Sequence, residues 1–294
     1  MIKNQKLLSS FVFLRRGNIV IFIRNSYKKR LLEQGIENPS RFFSENAGTE
    51  FFNGRDLIPS VLIEGSNNER MAIRHYRRGG LTRKISKDIF LGGSRPFKEL
   101  IVSEEARIRG IPTAKVLAVI KQKIFGVFYR AHLVSKVIPR GIDIIAYLDG
   151  FAPNPTRKQL EEKRRIIKLT AELVRKMHHR GIYHADLHPK NIVIQRKSSE
   201  VSKVYIIDFD KSLIKEKLKS KEKMKNLYRF HRSLEKLIKT GIAITGTDQL
   251  RFFKSYLKEN GSLKLTIRKY LRGYSQHRKL HSLGRNLIAM LSLQ

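Results

Sequence analysis

The chain has 294 residues, enough for two packed lobes with a core each, and carries 61 Lys plus Arg against 25 Asp plus Glu, a formal net charge of +36. With no Cys in the sequence, disulfides, thiolate nucleophiles and Cys-based zinc sites are excluded, and a reducing compartment fits. The charge excess points to an anionic partner: nucleic acid, an acidic membrane surface or a phosphorylated substrate. A Lys-rich solvated surface is the bland alternative.

In "MIKNQKLLSSFVFLRRGNIVIFI", Arg15 and Arg16 interrupt the apolar stretch and no small-x-small cleavage site follows. No run approaches the ~18–20 apolar residues of a membrane crossing, so neither a signal peptide nor a transmembrane span is expected. The basic arm is expected to add a strand to the domain; lying on an anionic bilayer is its other use. Residues 17–23 read as a strand and "KKRLLEQGIENPSRFFSEN" as a short helix and loop.

Two β-rich runs from Leu57 to Tyr76 flank a Gly-Ser-Asn-Asn turn and predict a hairpin. After the basic loop "RRGGLTRK", the stretch "SRPFKELIVSEEARIRGIP" carries helix punctuation: Ser94 as cap, Pro96 in the first turn, Gly110 at the close and Pro112 beyond. "KVLAVI" and "VFYRAHLVSKVI" read as strands. Thr156 and Gln159 then form a capping box before a long helix with Ile166, Ile167, Thr170, Leu173, Val174 and Met177 on one stripe. A further stripe, Leu227, Phe230, Leu234, Leu237 and Ile238, reads as packed core. The chain thus divides into a basic extension (1–48), a mostly strand lobe (49–136) and a mostly helical lobe (137–294), an α+β organisation.

The chemistry-bearing residues follow the long helix. "HADLHPKN" at 184–191, a strand "IVI", a polar turn, a strand "VYII" and "DFD" at 208–210 bring two aspartates and an asparagine to one end of a hairpin. Phosphoryl transfer needs such a set: one carboxylate for the acceptor hydroxyl, and oxygen ligands for Mg²⁺ on nucleotide phosphates. Asp186 and Asn191 have the spacing of H-R-D-x-x-x-x-N, and Asp208 stands where the D-F-G aspartate stands. Asp210 replaces the glycine of that motif, and no A-P-E follows. His184, Asp186 and His188 also raise a transition-metal alternative, but Pro189 and Asn191 argue for a loop; His184 reads as a buried brace and His188 as an exposed neighbour.

The cation that grips phosphates should lie on the second strand of the hairpin, where "MAIRHY" offers Arg74 in place of lysine. Lys84 is the alternative. Its helix partner is Glu99, on one side with Val102 and Ala106, with Glu104 left open. The phosphate-covering loop belongs near "FFNGRDLIPS", where Gly54 is a weak signal.

In order, "AIRHYRRGGL", "SRPFKEL", "GIPTAKVLA", "YRAHLVS", "HADLHPKNIVI", "IIDFDKS" and "NLYRFHRSLEKL" resemble the 3-deoxy-D-manno-octulosonic acid (Kdo) kinases of the lipopolysaccharide kinase family, over about residues 49–240. The resemblance implies a protein-kinase-like two-lobed fold, a small antiparallel-sheet lobe with one main helix and a larger mainly helical lobe. It implies transfer from ATP, with Mg²⁺, to the 4-OH of Kdo on a lipid A precursor, at the cytoplasmic side of a bacterial inner membrane. Under it Asp186 orients the hydroxyl and accepts its proton, Asn191 and Asp208 hold Mg²⁺, and Arg74 or Lys84, positioned by Glu99, holds the phosphates. Lys190 adds charge near the transferred group, and the basic stretch Arg77, Arg78, Arg83, Lys84 and Lys87 is the candidate for gripping the acceptor, a merely solvated loop being the alternative. No specific nucleic-acid partner is expected, and the sequence fixes no oligomeric state. The rival readings are a kinase for another acceptor (a lipopolysaccharide heptose, a small molecule or a protein) and a basic kinase-shaped scaffold without turnover.

Overall fold

In the computed structural model, which describes residues 9–39, 41–42, 51–52, 58–77, 88–151, 155–197, 200–257 and 269–276, the first half of the chain builds one antiparallel sheet. Its order is β1-β2-β7-β8-β5-β4-β3, from β1 (Phe11–Arg16), β2 (Ile19–Arg24), β3 (Phe51–Phe52), β4 (Ile58–Leu62), β5 (Arg70–His75), β7 (Val116–Lys123) and β8 (Phe128–Lys136). The short β6 (Phe90–Leu91) pairs with β8. The expected hairpin is β4–β5, and the strand expected at 17–23 is β2, which with β1 extends the sheet beyond β7.

The period of two along β5 decides what its residues meet. Met71 and Ile73 bury into one core, which is closed by Tyr27, Leu31 of α1 (Lys28–Glu33) and Ile36. Arg74 and Tyr76 point the other way, toward α2 (Arg95–Ile108), where Tyr76 joins Phe90, Leu100 and Tyr129. α2 touches both lobes: Leu100 packs under the sheet, whereas Val102 and Ala106 belong to the core of the helical lobe. Ser94 occupies the N-cap position but makes no capping hydrogen bond, because its backbone (φ −120°, ψ 23°) lacks the extended geometry that aims a cap side chain at the first turn. The helix closes as expected, with Gly110 at φ +74° and the Ile111 N–H donating to Ala106 O at 2.9 Å.

The second lobe is built from β9 (Gly141–Asp143), α3 (Ile144–Asp149), α4 (Arg157–His179), α5 (Ser220–Lys239), α6 (Gly246–Tyr256) and a helical segment at 269–276. Thr156 and Gln159 make the expected reciprocal capping box on α4. Ile166, Thr170, Leu173, Val174 and Met177 bury along its inner face, each apolar member contributing about 1.5–3 kcal/mol. Two strand pairs lie on this helical frame: β10 (Ile182–Tyr183) with β13 (Leu213–Ile214), and β11 (Ile192–Lys197) with β12 (Glu200–Ile206), where β9 also joins β11. Among the described residues no helix is long and apolar enough to cross a membrane.

Gly181 turns the chain from α4 into β10. Its φ is +73°, and a Cβ there would sit 2.0 Å from Lys215 O, so neither the conformation nor the space admits a side chain. Gly181→Ala is therefore expected to lower unfolding free energy by about 2 kcal/mol or more. Urea denaturation checks this; an unchanged midpoint contradicts the packing described.

Candidate active site

Between the lobes, Arg74 bridges two carboxylates. Its Nη2 donates to Glu99 Oε1 and Oε2 at 2.5 and 2.6 Å, and its Nη1 donates to Asp208 Oδ1 at 2.5 Å. Among the described residues the Arg74 Nε–H is left without a partner. The Tyr76 hydroxyl donates to Glu99 Oε2 at 2.5 Å, so alternate positions on one face of β5 converge on one helix carboxylate. Burial pushes the Glu99 carboxyl up to about 7, with Arg74 pulling it back. At Asp208 burial also pushes upward, but the Arg74 charge and hydrogen bond outweigh it, and the carboxyl titrates below its usual range.

Glu104 points elsewhere. It lies 2.5 Å from Arg24 Nη2 of β2, and both side chains are under a tenth exposed. Arg24 also donates through Nε to Val116 O at 2.9 Å and sits over the Phe11 ring. Glu99 is thus the partner of the strand arginine, and Glu104 anchors the first two strands to α2.

The loop after β10 is braced from three sides. The His184 Nδ1 accepts from the Asp186 N–H at 3.2 Å and its Nε2–H donates to Ile207 O at 3.0 Å, which defines a neutral ring; burial lowers its pKa, in agreement. Asn226 of α5 exchanges hydrogen bonds with the His184 backbone, its Oδ1 accepting from N–H at 3.2 Å and its Nδ2 donating to O at 2.8 Å. Ser212 Oγ accepts from the Ala185 N–H at 3.0 Å. His184 is the buried brace expected. His188 is half-buried rather than exposed, its Nδ1 accepting from the Lys190 N–H at 3.1 Å as it caps the single 3-10 turn Pro189–Asn191. Both ring nitrogens of His184 are thus committed to the backbone, and among the described residues no group of three or more His, Asp or Glu is arranged to hold a metal.

Asp186 presents a half-exposed carboxylate whose Oδ1 accepts from Arg229 Nη1 of α5 at 2.8 Å; the same nitrogen donates to Ala185 O. Asn191 Nδ2 donates to Asp186 O at 2.9 Å, leaving Oδ1 of the amide as a free acceptor type, and Asn191 O accepts from the Ile207 N–H at 3.0 Å. Asp208 follows at φ +65°, a left-handed conformation costing about 1–3 kcal/mol for a non-glycine residue, next to Phe209 buried against the His184 ring. Lys190 is exposed. Arg77 is exposed beside β5, whereas Gly54, Arg78, Arg83, Lys84 and Lys87 lie outside the described residues.

Asn226, Arg229 and Arg95 escape the sequence reading. Asn226 falls in the buried stripe of α5, where an uncharged polar residue among Leu227 and Phe230 is the available signal. Arg229 is one of many cations on that helix, and nothing local separates it from the rest.

A set of this build, between a sheet lobe and a helical lobe, defines a protein-kinase-like phosphotransferase that acts on a hydroxyl acceptor. The family model described as lipopolysaccharide kinase (Kdo/WaaP) matches residues 60–256, and the chain belongs to that family. It is 36% identical over 200 residues to a 3-deoxy-D-manno-octulosonic acid kinase of Mannheimia succiniciproducens, covering 67% of this chain and 75% of that one. With a protein of the same description from Vibrio cholerae it shares 34% identity over 176 residues, 58% of this chain and 68% of the other. A solved structure, WaaP in complex with acyl carrier protein, shares the fold with a TM-score of 0.54 at 15% identity, over 87% of this chain and 98% of that one.

Glu104→Ala would strand Arg24 in the interior and is expected to cost about 3–5 kcal/mol in chemical denaturation. A loss below about 1 kcal/mol contradicts the pairing, since that is the range of exposed ion pairs.

Proposed function

We propose that this protein transfers the γ-phosphoryl group of ATP to the 4-OH of Kdo on a Kdo-bearing lipid A precursor, as a peripheral protein at the cytoplasmic side of the bacterial inner membrane. The observation that carries the reading is the linked arrangement of Asp186 with Asn191, and of Asp208 with the Arg74–Glu99 pair, joined through His184 and Ile207. The relatives described as Kdo kinases support the acceptor. A formal charge of +36 suits an acceptor rich in phosphates and carboxylates in an anionic bilayer, where each nearby cation adds about 1 kcal/mol of attraction.

The donor set fits a nucleotide with Mg²⁺. Asp208 Oδ1 is held by Arg74, the other Asp208 oxygen and the Asn191 amide oxygen are hard donors, and Mg²⁺ bound to nucleotide phosphates asks for only one or two protein ligands. When bound, ATP supplies the phosphoryl group and Mg²⁺ offsets its charge. Arg74 offers its Nε–H and second Nη1–H to the phosphates while Glu99 fixes its guanidinium. Arg229 holds Asp186 Oδ1, which leaves Oδ2 to orient the acceptor hydroxyl and take its proton late, since a loose transition state asks little of a base. Lys190 adds positive charge at the same end of the loop, and Arg77 begins the basic stretch that meets the acceptor. An intact pair of aspartates favours turnover over the scaffold alternative.

Asp186→Ala is expected to lower transfer about a hundred- to ten-thousandfold while the Kd for ATP stays within a few-fold. Substantial turnover by this variant removes the role. In parallel, labelled phosphate is expected to enter a Kdo-bearing lipid A precursor and not the same lipid lacking Kdo; label in both lipids, or in neither, contradicts the acceptor.

A further inference from the structure

The third position of the D-F-G pattern is Asp210 here, and both oxygens of its carboxylate accept from one arginine. Arg95 Nε donates to Oδ1 at 2.8 Å and Nη2 donates to Oδ2 at 2.5 Å, a two-point fork whose members are only 26% and 19% exposed. Arg95 is the first residue of α2, and its guanidinium lies against the rings of Tyr76 and Phe90, 5.3 and 5.0 Å from their centroids. One helical turn later on α2 stands Glu99, which grips Arg74, which grips Asp208. The loop 208–210 is therefore fastened to α2 twice, once at each end. A glycine at 210 would leave the first fastening alone, free to act as a pivot.

We propose that the Arg95–Asp210 pair is a built-in clamp that holds Asp208 facing the metal, with Asp210 a positioning residue; the inference rests on the nucleotide and Mg²⁺ reading above. Swinging Asp208 out of the cleft requires breaking both fastenings, and α2 cannot drift from the loop without breaking the same two. Kinase-type sites need the strand cation, the helix glutamate and the loop aspartate in place together, and here that assembly is tied by side chains of the fold itself.

The test is equilibrium binding of a fluorescent ATP analogue, with and without Mg²⁺, to wild type, Asp210→Asn, Arg95→Lys and the double variant, with melting temperatures alongside. Asp210→Asn keeps the shape of the side chain, and Arg95→Lys keeps the charge but loses the fork. Each single variant is expected to weaken Mg²⁺-dependent affinity about tenfold or more while Mg²⁺-free binding is unchanged. The double variant should be no worse than the weaker single, because the two residues act as one unit. A packing role alone would lower the melting temperature and leave the Mg²⁺ dependence intact, and that result overturns the clamp, as do single-variant affinities within twofold of wild type or losses that multiply in the double variant. Binding needs no acceptor, so failure here while label still enters the Kdo-bearing lipid removes the clamp alone, and the converse removes only the acceptor.

Discussion

Arg74 joins the two lobes through charge. A guanidinium withdrawn from water is stable only if carboxylates answer it on every committed side, and Glu99 from α2 and Asp208 from the loop after β12 do so at 2.5 Å. The rest of the cleft follows from this requirement. Tyr76 is placed by the period of β5 to bind the same glutamate, and Asp208 adopts a left-handed backbone that would be costly alone. An arginine at a position where kinases carry lysine keeps the charge at any pH and adds a planar fork, so one side chain spans both carboxylates.

In the second lobe, the interior support of the loop is a set of neutral groups, with Arg229 gripping it from outside. His184 is satisfied by Asn226 and the Ile207 carbonyl, Ser212 takes the next N–H, of Ala185, and His178 extends the chain, its Nε2 3.1 Å from Asn226 Oδ1 and its Nδ1 2.7 Å from the Tyr256 hydroxyl. A buried network in which the members are paired is rigid, because any displacement leaves a polar group without a partner in low dielectric. The half-exposed Asp186 thus sits on a stiff support, and the helical core beneath α4 and α5 is continuous with it.

Much of this was legible in the sequence, for local reasons. The interval between Asp186 and Asn191 and the aspartate after a hairpin are properties of short segments, and so are the capping box of α4 and the turn between β4 and β5. The choice between Glu99 and Glu104 was not, since both are buried on α2. It is settled by Arg24, eighty residues upstream in a strand whose sheet neighbour is β7. Arg229 and Arg95 were hidden by composition: in a chain with 61 Lys and Arg, a functional cation carries no contrast until the fold sets it beside a carboxylate. Ser94 shows the limit in the other direction, a favoured cap residue whose backbone never presents its hydroxyl to the helix.

The most direct test of this account is the affinity for ATP with Mg²⁺ of wild type, Arg74→Lys and Arg74→Met, measured by titration calorimetry. If Arg74 is the phosphate-gripping cation, Arg74→Met loses about tenfold to a hundredfold in affinity and Arg74→Lys recovers part of it. An Arg74→Met protein that is folded and binds ATP within twofold of wild type would contradict the account and move the role to another cation.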